Sequence, residues 1–230
     1  MPGRPPKVTQ VKDAFLNEIS AARSLLAAIN SIPAKVRPSA RVGLHPKYVQ
    51  QVIELAFMAV VAAWEEFLER SLVRYQAGAQ TPTDYRPTPK FGLANTIQHA
   101  YELLSQDPNY DSTKNYLKVS DPRWVRSSAD FFFRVHPYNC LQAKTDLLKH
   151  ASSIRNRVAH ASEKCRSDFK AAAIHFLQPA NGTLSQGYGP GKLLIDPIQR
   201  HFGQQAEQNG LSHFEAYLRM YESLANDIVP

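Results

Sequence analysis

Apolar residues recur at spacings of three and four along much of this chain, the period of a helix face rather than of a strand. Val8, Val11, Phe15, Ile19, Ala22, Leu26 and Ile29 define one such face, which Pro33 and Pro38 close. His45-Pro46 opens a second helix, proline being suited to a first helical turn, and no Gly or Pro interrupts it before about Tyr75. Its centre, Leu55-Ala-Phe-Met-Ala-Val-Val-Ala-Ala-Trp64, is apolar on nearly every side and predicts the central buried helix. A third helix is expected from Leu93 to Ser105, with Ile97, Tyr101 and Leu104 on one face. A fourth runs from about Leu141 to Ala161 on the stripe Leu147, Ala151, Ile154, Val158 and Ala161. Ser162 begins a further helical stretch to about Leu177, and a last helix covers about Ser212 to Asp227, carrying Phe214, Leu218, Tyr221 and Leu224.

The intervening segments are loops. Gly and Pro punctuate residues 77–92 and 179–192, and residues 106–137 hold Pro108, Pro122 and Pro137 among the aromatics Trp124 and Phe131 to Phe133. A loop that long inside one domain is functional or contains short helices. Leu193 to Ile195 reads as a short strand or extended chain. With no internal repeat and no sustained β-alternation, the fold class is all-α, a helical bundle with long inter-helix loops. Three stretches compose it: a basic tail and helix over residues 1–44 in the same domain, a helical core over 45–178, and a loop and C-terminal helix over 179–230 that pack on the core.

Composition narrows this picture. A chain of 230 residues can bury roughly 70 % of its unfolded surface and needs no metal or disulfide to fold. Its 43 % hydrophobic and 20 % charged residues are those of an ordinary globular protein. Of the net charge of +7, six units fall in the first fifty residues, where Arg4, Lys7, Lys12, Arg23, Lys35, Arg37, Arg41 and Lys47 face only Asp13 and Glu18. Such a region attracts a polyanion, or it is simply a solvated surface. Cys140 and Cys165 lack metal-ligand spacing and read as free thiols of a reducing cytosol. The polar, Pro-rich start predicts no secretory signal, and the apolar run from Leu55 is too short to span a bilayer. A cytoplasmic protein without a membrane partner is the expectation.

The strongest chemical signal is Ile154-Arg155-Asn156-Arg157-Val158-Ala159-His160. At ~100° per residue Asn156 and His160 stand about 40° apart on one helix face, with Lys149 and Ser153 on the same face. Arg155 stands about 140° round from His160, so geometry leaves open whether its long side chain reaches back or serves a neighbouring subunit. Imidazole titrates near neutrality and can move a proton, and guanidinium offers a fork of donors to phosphate oxygens. Lys149, Lys164 and Arg166 flank the motif and, with Arg157 and Ser153, would extend a phosphate-binding track if they are more than a solvated face.

Arginine, asparagine directly after it, and histidine after three more residues resemble the signature of the HEPN ribonucleases. Ala63-Trp64-Glu65-Glu66-Phe67-Leu68 is similar to a segment of the branch called RiboL-PSP-HEPN. The resemblance spans about residues 45–178 and implies a HEPN-like up-and-down helical bundle. It implies metal-independent, cofactor-free RNA cleavage by the ribose 2′-OH, with Arg155, Asn156 and His160 catalytic and Glu65 positioning Arg155. It implies a homodimer that brings two motifs into one cleft, and a toxin or anti-phage role held in check by an antitoxin or other regulatory partner. Bland readings compete: Arg155 paired with Glu65 or Glu66, and His160 an ordinary surface residue. Two other functions also compete. One is a non-catalytic HEPN module that binds nucleotide or RNA beside a nucleotidyltransferase, and the other a helical DNA-binding adaptor using the basic first fifty residues.

Other signals fail on their spacing. Gly187-Tyr-Gly-Pro-Gly-Lys192 has neither the spacing nor the following Ser or Thr of a phosphate loop. Gly3-Arg4-Pro5 is a single short copy of a minor-groove element. His45, His99, His136, His150, His175, His201 and His213 show no zinc-ligand spacing.

Overall fold

The computed structural model describes residues 7–33 and 43–230. The Pro2 to Pro6 tail, and Lys35, Arg37, Pro38 and Arg41 of the basic N-terminal region, lie outside the described residues. Among the described residues the architecture is mostly helical: α1 (Thr9–Asn30), α2 (Pro46–Gln76), α3 (Ile97–Ser105), α4 (Pro122–Phe132), α5 (Thr145–Ala159), α6 (Glu163–Leu177), α7 (Pro190–Ile195), α8 (Gln204–Gln208) and α9 (His213–Ile228). One small antiparallel pair, β1 (Thr88–Pro89) with β2 (Phe133–Val135), is the sheet seen among them. No helix there is long and apolar enough to cross a membrane.

The chain gathers into two units. The first comprises Met1–Asn17, Ala63–Leu148 and Glu222–Pro230, and the second Glu18–Ala62 and Lys149–Tyr221. Helices α1, α2, α5 and α9 therefore contribute residues to both.

In the first unit Phe15, Trp64 and Phe67 form an aromatic cluster with ring centroids 5.3 to 5.5 Å apart. Phe15 is the residue that the helical spacing of α1 brings to its buried face. Two long-range hydrogen bonds hold the last turn of α9 and the residue after it: Lys12 Nζ donates to the Val229 carbonyl at 2.6 Å and Tyr75 Oη to the Ile228 carbonyl at 2.8 Å. Ser71 Oγ donates to its own helix at the Leu68 carbonyl, 3.1 Å away, so the contact with Tyr138 Oη at 2.9 Å has tyrosine as donor. In the second unit Phe57 packs on Phe214 and Tyr217, and Phe176 on His213, Phe202 and Tyr217. Arg23 Nε pairs with Glu215 Oε1 at 3.2 Å.

Several expectations shift. α2 is not buried on every side: Leu55 is 57 % exposed, and Ala59 and Ala62 lie open on the same face. Leu193 to Ile195 are neither strand nor extended chain but the end of α7, which Pro190 opens at its first turn. Gly191 sits there because a Cβ would stand 2.7 Å from the Gln50 carbonyl oxygen, and its N–H donates to Glu54 Oε1 at 2.7 Å. Within 106–137 the unassigned short helix is α4, with Pro122 in its first turn and the Asp121 side chain capping the Arg123 N–H. The fourth predicted helix is shorter: a 3-10 helix takes Pro137–Lys144 and α5 begins at Thr145.

Candidate active site

α5 carries Lys149, Ser153, Arg155, Asn156 and Arg157, and it stops at Ala159, so His160 lies just past the end rather than inside the helix. The helical hydrogen bond nevertheless persists for one more residue, because the His160 N–H donates to the Asn156 carbonyl at 2.8 Å. Arg157 Nη1 donates to the His160 carbonyl at 3.2 Å, giving that carbonyl a partner the ended helix no longer supplies. Two residues after His160, Ser162 caps α6, its hydroxyl accepting from the Cys165 N–H at 3.3 Å. His160 is thus held at a short elbow between two helices.

The motif is knit internally. Arg155 Nη1 donates to Asn156 Oδ1 at 2.9 Å. Both residues are half-buried, whereas His160 is exposed. Its ring makes no hydrogen bond to the described residues, so both nitrogens are open to a ligand. Asn156 has its oxygen engaged, and its amide nitrogen remains as the group it can donate.

The flanking residues divide. Ser153 Oγ donates to the Lys149 carbonyl at 3.1 Å, so the hydroxyl proton is held by its own helix. Lys164 Nζ meets Asp168 Oδ2 at 2.8 Å, a contact that raises the lysine pKa through that hydrogen bond first and the opposite charge second. Arg166 Nη1 meets Glu163 Oε2 at 3.2 Å. Both are exposed pairs within one helix, and their carboxylates partly offset the charge that would meet phosphates. Lys149 is half-buried on α5. Glu65 is half-buried on the α2 segment of the first unit.

Sequence spacing gave no reason to group the histidines, yet three of them cluster in the second unit. His175 lies 4.2 Å from His201 and 4.7 Å from His150, centroid to centroid, and His201 Nε2 approaches the His175 carbonyl at 3.3 Å. The signal lies in contacts distant along the chain and is absent from any local window. Among the described residues no group of three or more His, Cys, Asp or Glu stands where it could hold a metal ion. His213 is buried, and desolvation lowers its pKa; desolvation and then the neighbouring His175 lower that of His201.

Both cysteines are free. Burial, and secondarily the charge of Asp227, pushes the Cys140 thiol up to about 12. A groove of about 610 Å³ lined by Ile29, Ile32, Leu44, Val49, Lys192 and Ile195, among others, belongs to the second unit, and none of Arg155, Asn156 and His160 lines it.

Comparison with family models, with curated proteins and with solved structures finds no match.

Proposed function

We propose that this chain is an endoribonuclease of the HEPN kind, cleaving RNA by attack of the ribose 2′-OH on the adjacent phosphate without a metal, and acting as a toxin or defence effector. One observation carries the reading. Arg155 and Asn156 are joined side chain to side chain at 2.9 Å on the last turns of a helix whose next residue, His160, offers an exposed and unbonded imidazole. A donor fork, an amide and a proton-transfer group in that order suit a phosphodiester better than they suit helix packing.

In the proposed reaction His160 takes the 2′-OH proton while the 2′-oxygen forms a bond to phosphorus. The bond from phosphorus to the 5′-oxygen breaks, and that oxygen takes a proton from an imidazolium. Products are a 2′,3′-cyclic phosphate and a 5′-hydroxyl. Arg155 and the Asn156 amide donate to the non-bridging oxygens, whose charge grows in the transition state. Since one chain offers this motif a single imidazole, acid and base come from His160 of two copies in a homodimer, and a two-fold interface places like residues opposite each other. Lys149 and Arg157 are proposed to meet the RNA backbone. Ser153 can only accept there while it donates to its own helix, and Lys164 and Arg166 contribute less than their charges suggest because Asp168 and Glu163 accompany them. A regulatory partner of the antitoxin type would hold such an activity in check.

The test is incubation of labelled RNA in excess EDTA with wild type and with His160→Ala and Arg155→Ala variants shown to be folded. Cleavage by wild type alone, leaving cyclic phosphate ends, is the expected result. Equal cleavage by all three places the chemistry elsewhere. Absence of cleavage by folded wild type, with RNA still bound, supports a non-catalytic RNA-binding module instead.

A further inference from the structure

In the first unit two phenyl rings stand in solvent side by side. Phe91 is 77 % exposed and Phe131 58 %, with centroids 5.6 Å apart and planes tilted by 45°. Phe132 meets Phe131 edge-on at 5.0 Å. Single exposed apolar residues are common, but two adjoining phenylalanines on an ordered backbone are not. The backbone beneath them is firmly held. β1 and β2 pair through Thr88 with Val135 and Pro89 with Phe133, and the Lys90 N–H donates to the Phe132 carbonyl at 2.8 Å. Phe133 is buried and anchors the strand from below, while Val135, 63 % exposed, continues the apolar surface.

Cations accompany these rings along both chain segments. Arg86 and Lys90 are exposed in the loops before and after β1, the latter carrying Phe91, and Arg134 is exposed on β2, which follows Phe131 at the end of α4. The Lys90 ammonium donates to the Asp130 backbone carbonyl rather than to a carboxylate. Among the described residues neither Arg86 nor Arg134 is in an ion pair. The carboxylate of Asp130 is engaged by His136 Nε2 at 2.9 Å. That carboxylate, 58 % exposed, stands one residue before Phe131, so the patch joins open aromatic faces with three cations set against Asp130.

An apolar protein surface would match the rings and leave the cations without counterparts. An anionic bilayer would match the charges, but insertion needs a broader apolar face than two rings and a valine. A single-stranded nucleic acid matches both at once, because every base has a π-face for stacking and every linkage a phosphate.

We propose that Phe91 and Phe131, with Arg86, Lys90 and Arg134, form a platform for single-stranded RNA, on which unpaired bases stack while the cations take the phosphates. This inference rests on the reading of the chain as an RNA-acting protein and names a second RNA contact besides the His160 motif. Ring stacking and phosphate contacts carry no base identity, so binding there is tolerant of sequence and sensitive to salt.

The experiment is fluorescence anisotropy of the full chain with a short labelled oligouridine whose 2′-oxygens are methylated, so that binding is measured without cleavage. Phe91→Ala and Phe131→Ala are each expected to weaken Kd by about tenfold, and Phe91→Trp to retain affinity and to show fluorescence quenching on binding. Arg134→Glu is expected to weaken Kd further and to flatten its salt dependence. Because both rings are exposed, circular dichroism of the alanine variants should match wild type. An unchanged Kd in both alanine variants overturns the platform, as does an unchanged Kd accompanied by loss of self-association or of flotation with phosphatidylserine vesicles. Cleavage of unmethylated RNA by wild type together with an unmoved Kd removes the platform alone. A phenylalanine-dependent Kd without any cleavage removes the ribonuclease reading alone.

Discussion

Asn156 gives its side-chain oxygen to the Arg155 guanidinium, and that arrangement separates two jobs within one residue. Asn156→Asp keeps an acceptor for arginine but removes the amide donor and adds a negative charge beside the phosphate of the proposed reaction. Its expected effect is a fall in kcat of about 10²-fold or more, with a smaller change in KM, measured by single-turnover and steady-state RNA cleavage. A different asymmetry governs the buried pair Ser71 and Tyr138. The Ser71 hydroxyl keeps its Leu68 carbonyl partner in Tyr138→Phe, so that variant should lose only about 1 kcal/mol or less. Ser71→Ala instead strands the tyrosine hydroxyl, fully buried, and should cost about 1–3 kcal/mol in urea unfolding. A larger loss in Tyr138→Phe than in Ser71→Ala would reverse the donor assignment.

At the scale of elements, much of the helical order was legible and the boundaries less so. Regular spacing announced α1, and Ser162 announced α6, whose cap it forms. The stop of α5 at Ala159 was not legible, because Ala-His-Ala-Ser contains no Gly or Pro and reads as continuing helix. α4 had a readable start in Asp121-Pro122, obscured by the aromatic run that follows. α7 went unread because a short apolar run does not distinguish helix from strand without its neighbours, and here Gln50 and Glu54 settle it. The motif Arg155, Asn156 and His160 was visible as a pattern, while the bond between its first two members needed coordinates. The pairing of Lys164 with Asp168 and of Arg166 with Glu163 was visible as helix spacing that a charge count overlooks. Gly191→Ala is the sharpest test of α7. Its Cβ would press on the Gln50 backbone, and a loss of about 1–3 kcal/mol is expected from chemical denaturation. Ser162→Ala should cost about 1 kcal/mol by removing the cap of α6.

For the whole molecule, stability should depend on pH through the histidines of the second unit. His213 and His201 have lowered pKa values in the folded state, so the unfolded chain binds protons more readily below the ordinary value of 6.5. Their contribution is fully present above 6.5 and is lost as pH falls through the lowered folded values. The expected outcome is a Tm that declines on acidification below 6.5, with a shallower decline in His213→Asn. A Tm that rises over that interval would contradict the assigned direction. Asp196, whose carbonyl accepts from His213 Nδ1 at 2.8 Å, fixes the neutral tautomer with its proton on that nitrogen.

The half-buried Cys140 thiol, pushed up to about 12 by desolvation, hardly ionises in mildly alkaline buffer, and its nucleophilicity is suppressed accordingly. Cys165, partly exposed in the first turn of α6, is then the thiol that a methanethiosulfonate nitroxide finds first. The unmodified sequence thus carries its own spectroscopic ruler beside the elbow that holds His160. In a two-fold dimer with facing motifs, dipolar electron resonance should return one narrow distance between the two nitroxides, and a solution of monomers should return none.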